Sequence, residues 1–477
     1  MSHAHWRLGF HIAPQHAWLN DPNGLCQFRG AYHAYFQYNP LWPDRDTKHW
    51  RHFVSPDLVH WEDHGTALVT DIPEDRNGVY SGSAYVAPGA ASDGGDLLCL
   101  YYTGNVIDPD DPAADQGFVH GGREANEILV TSEDGETYSD KRVLLRNDDY
   151  PTVCTRHVRD PKVWKQGDSL YMLLGARDQN DEGFILLYES SDGSSWRLRN
   201  EIFAHERFGY MWECPNIVQL GGRDFLACCP QGLPEQETRW QNRWQAGYFP
   251  LEGSVLTTHL VDERSFVEWD HGHDFYAPQT FVADDGRAIL VGWMGTFDHR
   301  YSSAPDGLDW IHCLTVPREL TLGADGLLRQ WPVAELESLR GLGIDLDAED
   351  RLVLDAHRAD LVWEGIEGRD GSLVLDDAVL LSWEADALTL RFLDPDVAAG
   401  RQDRVVPLSG DMQGLRVLVD SSALEVYVND GADLLSTRWF PRDEPMRVRC
   451  AIPSARACAY PLQDAMAHAY DGVADGR

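Results

Sequence analysis

Hydrophobic residues along this chain come in short bursts with the two-residue alternation of strands, and helical three-to-four spacing is scarce. Two such bursts, Ile128-Leu-Val-Thr131 and Phe184-Ile-Leu-Leu-Tyr188, lead into one shared pattern. It reads Ser132-Glu-Asp134-Gly-Glu-Thr-Tyr138 after the first and Ser190-Ser-Asp192-Gly-Ser-Ser-Trp196 after the second. Ser55-Pro-Asp57-Leu-Val-His-Trp61 is an earlier copy, and Asp262-Glu-Arg-Ser-Phe-Val-Glu-Trp269 is a degenerate later one. A tight turn at Asp-Gly with an aromatic packing back under it describes a hairpin. A hairpin repeated in this way before residue 270 predicts blades around an axis. Four copies plus the first and last strands make five blades.

Near residue 331 the texture changes. Trp331-Pro332-Val333 precedes a helix-like stretch, Glu335 to Arg340, and an acidic run to Asp350. Beyond lie short apolar or alternating segments: Ala378–Ser382, Leu388–Phe392, Leu415–Val419 and Leu424–Val428. The last ends in the hairpin signal Asn429-Asp430-Gly431. The expected fold is therefore all-β: a five-bladed β-propeller catalytic domain over 1–332, a linker over 333–349 and a β-sandwich over 350–477.

Composition narrows the function. A net charge of −37 repels nucleic-acid phosphates and anionic membrane surfaces, so neither is an expected partner. Lysine occurs only at positions 48, 141, 162 and 165. A neutral small molecule suits this balance, and 17 tryptophans with 18 tyrosines suit the flat C–H faces of a sugar. The nine cysteines are odd in number and show no C-x-x-C spacing, which argues against a disulfide framework or a metal site. With neither an apolar leader nor a membrane-length apolar stretch in the sequence, the expectation is a cytoplasmic protein with reduced thiols.

Three carboxylates stand in unusual company. Asp21 lies in Trp18-Leu-Asn-Asp-Pro-Asn-Gly24, Asp160 in Val158-Arg-Asp-Pro-Lys162 and Glu213 in Met211-Trp-Glu-Cys-Pro215. Read singly, the first two are ordinary Asp-Pro turns, whereas an acid between Trp212 and Cys214 is harder to explain structurally. Together they fit glycoside cleavage, which needs one carboxylate on the anomeric carbon and one acid on the leaving oxygen. Turn amides and Asn20 are expected to keep Asp21 ionised, and an apolar setting is expected to keep the proton on Glu213. In a propeller, inner strands of different blades bring such distant acids to one channel mouth.

Seven motifs occur in an order that resembles glycoside hydrolase family 32, the invertase, sucrose-6-phosphate hydrolase and fructanase family. They are Trp18–Gly24, Phe36-Gln-Tyr-Asn-Pro40, Tyr80-Ser-Gly-Ser83, Arg159-Asp-Pro161, Glu213-Cys-Pro215, Tyr276-Ala-Pro-Gln279 and Gly292-Trp-Met-Gly295. The resemblance implies a five-bladed propeller joined to a sandwich. It further implies a retaining, exo-acting β-fructofuranosidase that works on sucrose or short fructo-oligosaccharides without metal or organic cofactor. By motif, Asp21 resembles the nucleophile, Glu213 the general acid/base and Asp160 the carboxylate that holds fructosyl hydroxyls. Asn20, Gln37, Tyr80, Ser81 and Arg159 match fructose-pocket positions, and Trp18 and Trp293 match pocket walls.

Where most of the family carries Trp-Gly, this chain has Arg45-Asp46. Trp42 is the expected substitute for the missing ring, and Arg45 with Lys48 offers a contact for a sugar phosphate. Three alternatives stay open: an inverting arabinan or xylan hydrolase, a fructosyltransferase and a sugar-binding protein without turnover. An inverting pair of carboxylates stands about 6.5–9.5 Å apart, against about 5–5.5 Å for a retaining pair.

Overall fold

The computed structural model describes residues 4–44, 47–295, 305 and 307–470; Arg45 and Asp46 lie outside this set. Among the described residues nearly all regular structure is strand. The one α-helix is the single turn Pro395–Ala398, and the stretch read as helix-like is a short 3-10 segment, Ala334–Leu339.

Five sheets of four or five strands occupy the chain up to Pro332. Each is built on an antiparallel meander whose first strand lies innermost. These inner strands are Ala17–Phe28, Val79–Ala87, Cys154–Gln166, Met211–Leu220 and Tyr276–Val282. They neighbour one another in that order, and the fifth returns to the first, closing a ring. A ring of this kind leaves no inner sheet edge exposed, because each meander turns its last strand outward.

The repeated turns all join the third strand of a sheet to its fourth. The aspartate at each centre does the same work. Asp57 accepts the backbone N–H of Val59 and His60, Asp134 those of Glu136 and Thr137, and Asp192 those of Ser194 and Ser195. Trp61 and Trp269 are buried beneath their turns, while Tyr138 and Trp196 are half-buried. The degenerate copy occupies the same connection in the fourth sheet, between Gly247–Pro250 and Val267–Glu268.

Past residue 343, two six-stranded sheets pack face to face over one core that includes Leu361, Trp363, Leu373, Leu381, Trp383, Val417, Val426 and Val448. Ile344–Asp345, within the segment read as linker, pairs with the strand Ser454–Pro461. The strand Ala423–Val428 shows why alternation alone misleads. Leu424, Val426 and Val428 point into this core, and yet Glu425 and Tyr427 on its other face are also buried, against the ring of sheets.

That contact is polar as well as apolar. Arg318 from the ring places Nη2 2.7 Å from Glu425 and Nη1 3.2 Å from Asp270, and the His11 ring spans Asp420 (2.8 Å) and Glu425 (2.9 Å). All five side chains are fully buried. Burial by itself lowers the His11 pKa, but its two carboxylate partners overcome this and raise it to about 9. Burial likewise favours neutral Glu425, yet Arg318 and His11 hold it down to about 2.

A raised histidine gives stability that is complete below its unfolded pKa and lost as pH climbs through the folded one. The His11 contribution is therefore full below about pH 6.5 and gone above about 9. Thermal melts of wild type and His11→Gln from pH 6 to 10 should show the wild type several degrees more stable at pH 6, with the gap closing by about pH 9.5. A gap that does not change with pH would mean that His11 acts by packing alone.

Candidate active site

All five inner strands carry one extra residue at the same height. Against its neighbour, each advances three residues where the partner advances two: Leu19 to Pro22, Val79 to Gly82, Arg159 to Lys162, Glu213 to Asn216 and Tyr276 to Gln279. Such bulges bend a strand and re-aim its side chains. The sequence installs them with residues that cannot hold a regular ladder. Pro22, Pro161, Pro215 and Pro278 have no N–H to donate, and a Cβ on Gly82 would lie 1.9 Å from the Tyr101 carbonyl oxygen. Asp160 (φ 68°), Cys214 (φ 47°) and Ala277 (φ 46°) take left-handed backbone at these points. The Asp21 and Asp160 segments, read alone as turns, are thus bulged strands.

The bulges turn three carboxylates toward one another. Asp21 Oδ2 accepts the Ser81 hydroxyl at 2.5 Å, and Oδ1 accepts Asn20 Nδ2 at 3.1 Å. Asp160 Oδ2 accepts the Cys214 backbone N–H at 2.9 Å. The Cys214 sulfur lies 3.7 Å from both Asp21 Oδ2 and Asp160 Oδ2. Glu213, one residue earlier, completes the group: Arg159 grips its Oε1 (2.6 and 3.1 Å), while Gln231 (2.6 Å) and Tyr276 (2.7 Å) donate to Oε2.

Two expectations change here. Glu213 sits among hydrogen-bond donors and not in apolar surroundings. Asp21 is not held down by turn amides: burial raises its pKa, opposed by the hydroxyl of Ser81 and the amide of Asn20, with Glu213 raising it further. Asp160 is pushed up to about 7, chiefly by burial, which the Arg159 guanidinium only partly offsets.

The predicted pocket residues assemble as a relay. Trp18 Nε1 donates to Asn20, Asn20 to Gln37 (2.7 Å), and Gln37 to Ser81 (2.5 Å), which bonds Asp21. Trp50 Nε1 holds the Tyr80 carbonyl, so the strand carrying Ser81 is fixed from behind. Trp18 packs 5.8 Å from Trp42, and the Lys48 amine lies over its ring. Trp293 is fully buried, its ring 6.3 Å from that of Trp18 and 6.2 Å from that of Tyr276.

Several contributors were not foreseen. Tyr276 and Cys214 lie in X-Pro segments like the carboxylates, and that shared signal marks them. Gln231, Arg123 and Thr103 carry no local signal, because each reaches the site from a neighbouring strand, whereas His157 lies two residues before Arg159 on the same inner strand. Thr103 accepts the Asp160 N–H at 2.9 Å and donates to the buried Glu127, fixing the strained Asp160 backbone.

Asp160 gives a stability prediction. Its folded pKa near 7 exceeds the usual value near 4, so the folded chain keeps a proton that the unfolded chain has lost. The cost to stability therefore builds as pH rises from about 4 to about 7 and stays constant above that. Asparagine keeps the bond from Cys214 and sheds the charge. Asp160→Asn should raise Tm by about 1–3 °C at pH 8 and less at pH 5, with turnover lost. An equal or lower Tm at pH 8 would show that the carboxylate is not strained.

The comparisons with known proteins come down on one family. The description "Glycosyl hydrolases family 32 N-terminal domain" matches residues 11–332, and "Glycosyl hydrolases family 32 C terminal" matches residues 394–454. A sucrose-6-phosphate hydrolase of Klebsiella pneumoniae is 40% identical over 446 residues, which cover 91% of this chain and 88% of its own. A raffinose invertase of Escherichia coli is 36% identical over 459 residues, 92% of this chain and 90% of its own. The solved GH32 β-fructofuranosidase of Bombyx mori superposes with a TM-score of 0.80 at 28% identity, covering 97% of this chain and 95% of that one.

Proposed function

The chain belongs to glycoside hydrolase family 32, and from that premise we propose that it is a retaining, exo-acting β-fructofuranosidase. Its substrates are terminal non-reducing β-D-fructofuranosides, sucrose and short fructo-oligosaccharides. The observation that carries this reading is the convergence of Asp21, Asp160 and Glu213 on the bulges of three inner strands, within reach of the Cys214 backbone and sulfur. The family assignment removes the arabinan and xylan alternative. Five sheets whose inner strands close a ring support counting five blades, with the catalytic propeller at 1–332, the linker at 333–349 and the sandwich at 350–477. Nine free thiols support a cytoplasmic location.

Asp21 attacks C2 of the fructosyl unit, forming an ester as the bond from C2 to the leaving oxygen breaks. Glu213 gives its proton to that oxygen. Water then attacks C2, its proton passes to Glu213, and Asp21 leaves as carboxylate. The Tyr276 hydroxyl and the Gln231 amide both donate to Glu213 Oε2, and of the two the hydroxyl can rotate from donor to acceptor when that oxygen takes up a proton. Asp160 and Arg159 flank the fructosyl ring, where ionised Asp160 stabilises positive charge developing at C2. The Trp18–Asn20–Gln37–Ser81 relay keeps both Asp21 oxygens aimed.

Following sucrose, 1-kestose and inulin hydrolysis by NMR tests this reading. It expects fructose from the first two, released initially as the β-anomer. Initial α-fructose would overturn retention, and no fructose would overturn the activity. Relatives named for sucrose 6-phosphate raise a second reading, a phosphorylated disaccharide.

A further inference from the structure

Glu127 is a carboxyl group with no cation to answer it. It lies on the third strand of the second sheet, directly opposite Thr103, and both residues are buried. The carboxylates of Glu213 and Glu425 each meet an arginine, but Glu127 forms no ion pair with any described residue. The ionisable groups close to it are Asp160 on the third inner strand, Tyr150 between the second and third sheets, and Tyr188 on the third sheet. None of the three carries positive charge.

Its hydrogen-bond partners fix its state. The Thr103 hydroxyl accepts the Asp160 N–H at 2.9 Å and gives its own proton to Glu127 Oε2 at 3.0 Å. The Tyr150 hydroxyl stands 3.1 Å from the Ala125 carbonyl oxygen and 3.2 Å from Glu127 Oε1. It has one proton for two oxygens, and a carbonyl oxygen can only accept. Both contacts are filled when Tyr150 donates to Ala125 and a protonated Oε1 donates to Tyr150. Burial acts in the same direction. It pushes the Glu127 pKa well above the carboxylate range against the pull of Thr103 and Tyr150, and the charge of Asp160 adds to it.

This chain of bonds ends on the backbone of Asp160. At φ 68° that residue is left-handed, a conformation a side chain keeps only where its surroundings hold it. Its N–H is anchored on Thr103 and its carboxylate on the Cys214 N–H. A lone threonine hydroxyl rotates, whereas one whose proton is committed to Glu127 keeps a lone pair on Asp160. An ionised Glu127 would accept from Thr103 equally well. It would also set one more negative charge beside an Asp160 already crowded by Glu213 and Asp21. The neutral acid supplies the acceptor without the charge.

We propose that Glu127 is a positioning residue for the hydrolysis, a protonated carboxylic acid that locks Thr103 and through it holds Asp160 at the fructosyl ring. This rests on the fructosidase reading above and adds a residue to the same site.

Steady-state kinetics of the full-length protein on sucrose, followed across pH, test it with wild type, Glu127→Gln, Glu127→Leu, Thr103→Val and the double variant Glu127→Leu/Thr103→Val. Glutamine is neutral, accepts from Thr103 and donates to Tyr150. Glu127→Gln should therefore keep kcat within about threefold and leave the acidic limb of its pH profile in place. Glu127→Leu and Thr103→Val should each lower kcat about tenfold or more, with KM changed less. The double variant should be no worse than the poorer single one, because both break one chain. An acidic limb that moves to lower pH in Glu127→Gln would mean that a charge had been removed, and overturns the proposal. So do losses that multiply in the double variant, or a Glu127→Leu protein that melts lower yet turns over normally. Should Glu127→Leu fail to fold, Thr103→Val and Glu127→Gln decide alone. A wild type that cleaves no fructoside defeats the fructosidase reading itself. The infrared difference spectrum of wild type minus Glu127→Gln at neutral pH needs no turnover: a protonated-carboxyl band supports the proposal, and a carboxylate band overturns it.

Discussion

Asp21→Ala should lower kcat for sucrose by more than about 10⁴-fold, a loss of the size seen when a covalent nucleophile is removed, with an unchanged melting profile. The expectation follows from position. Asp21 meets Ser81 and Asn20 through side-chain bonds alone, while the backbone at this bulge is held separately: Asn23 donates to the Asp21 carbonyl and accepts the Gly82 N–H. Truncating the carboxylate therefore removes the attacking group without releasing the strand. It also removes one of the negative charges that crowd Asp160. A variant keeping a tenth of wild-type kcat would show that another group attacks C2, and only a separate melt would tell inactivation from unfolding.

Glu213→Ala should be nearly as severe on sucrose, about 10³-fold or more in kcat, because an alkoxide leaving group needs its proton in the transition state. Its signature differs from that of Asp21→Ala. A fructosyl donor whose leaving group needs no proton, such as fructosyl fluoride, should still react with Asp21 in this variant. Turnover then stalls at the second step, where no base activates water, and added azide should restore it by attacking C2 directly. Without rescue by azide, Glu213 would not be the acid/base. The loss of Glu213 also strips Arg159 of its partner, so KM may not be read alone; the azide response is the informative quantity.

The fold was legible where local chemistry and burial agree. Asp57, Asp134 and Asp192 cap their own turns, so the repeat that announces the sheets needs nothing distant. The site carboxylates were legible for a different reason. Their proline or glycine neighbours break the strand ladder, and the same breakage recurs at Pro22, Gly82, Pro161, Pro215 and Pro278. Read together, those five positions mark the bulges and with them the height of the site. Read singly, they look like turns.

What stayed hidden depends on contacts that no local pattern records. Glu425 alternates with Leu424 and Val426 as a surface acid would, yet Arg318 and His11 bury it between the two regions. The environment of Glu213 does not follow from its neighbours in sequence, because Trp212 packs into another layer and Cys214 turns its sulfur to Asp21 and Asp160. Its actual partners come from Arg159, Gln231 and Tyr276 on three different strands.

The central claim is a covalent fructosyl ester on Asp21. Glu213→Ala, mixed with fructosyl fluoride, quenched in acid and digested, should yield one peptide heavier by a single fructosyl unit, with fragmentation placing the addition on Asp21. The same treatment of a variant that also carries Asp21→Ala should give the unmodified peptide. No adduct under conditions where fluoride is released, or an adduct on a different residue, would contradict the account.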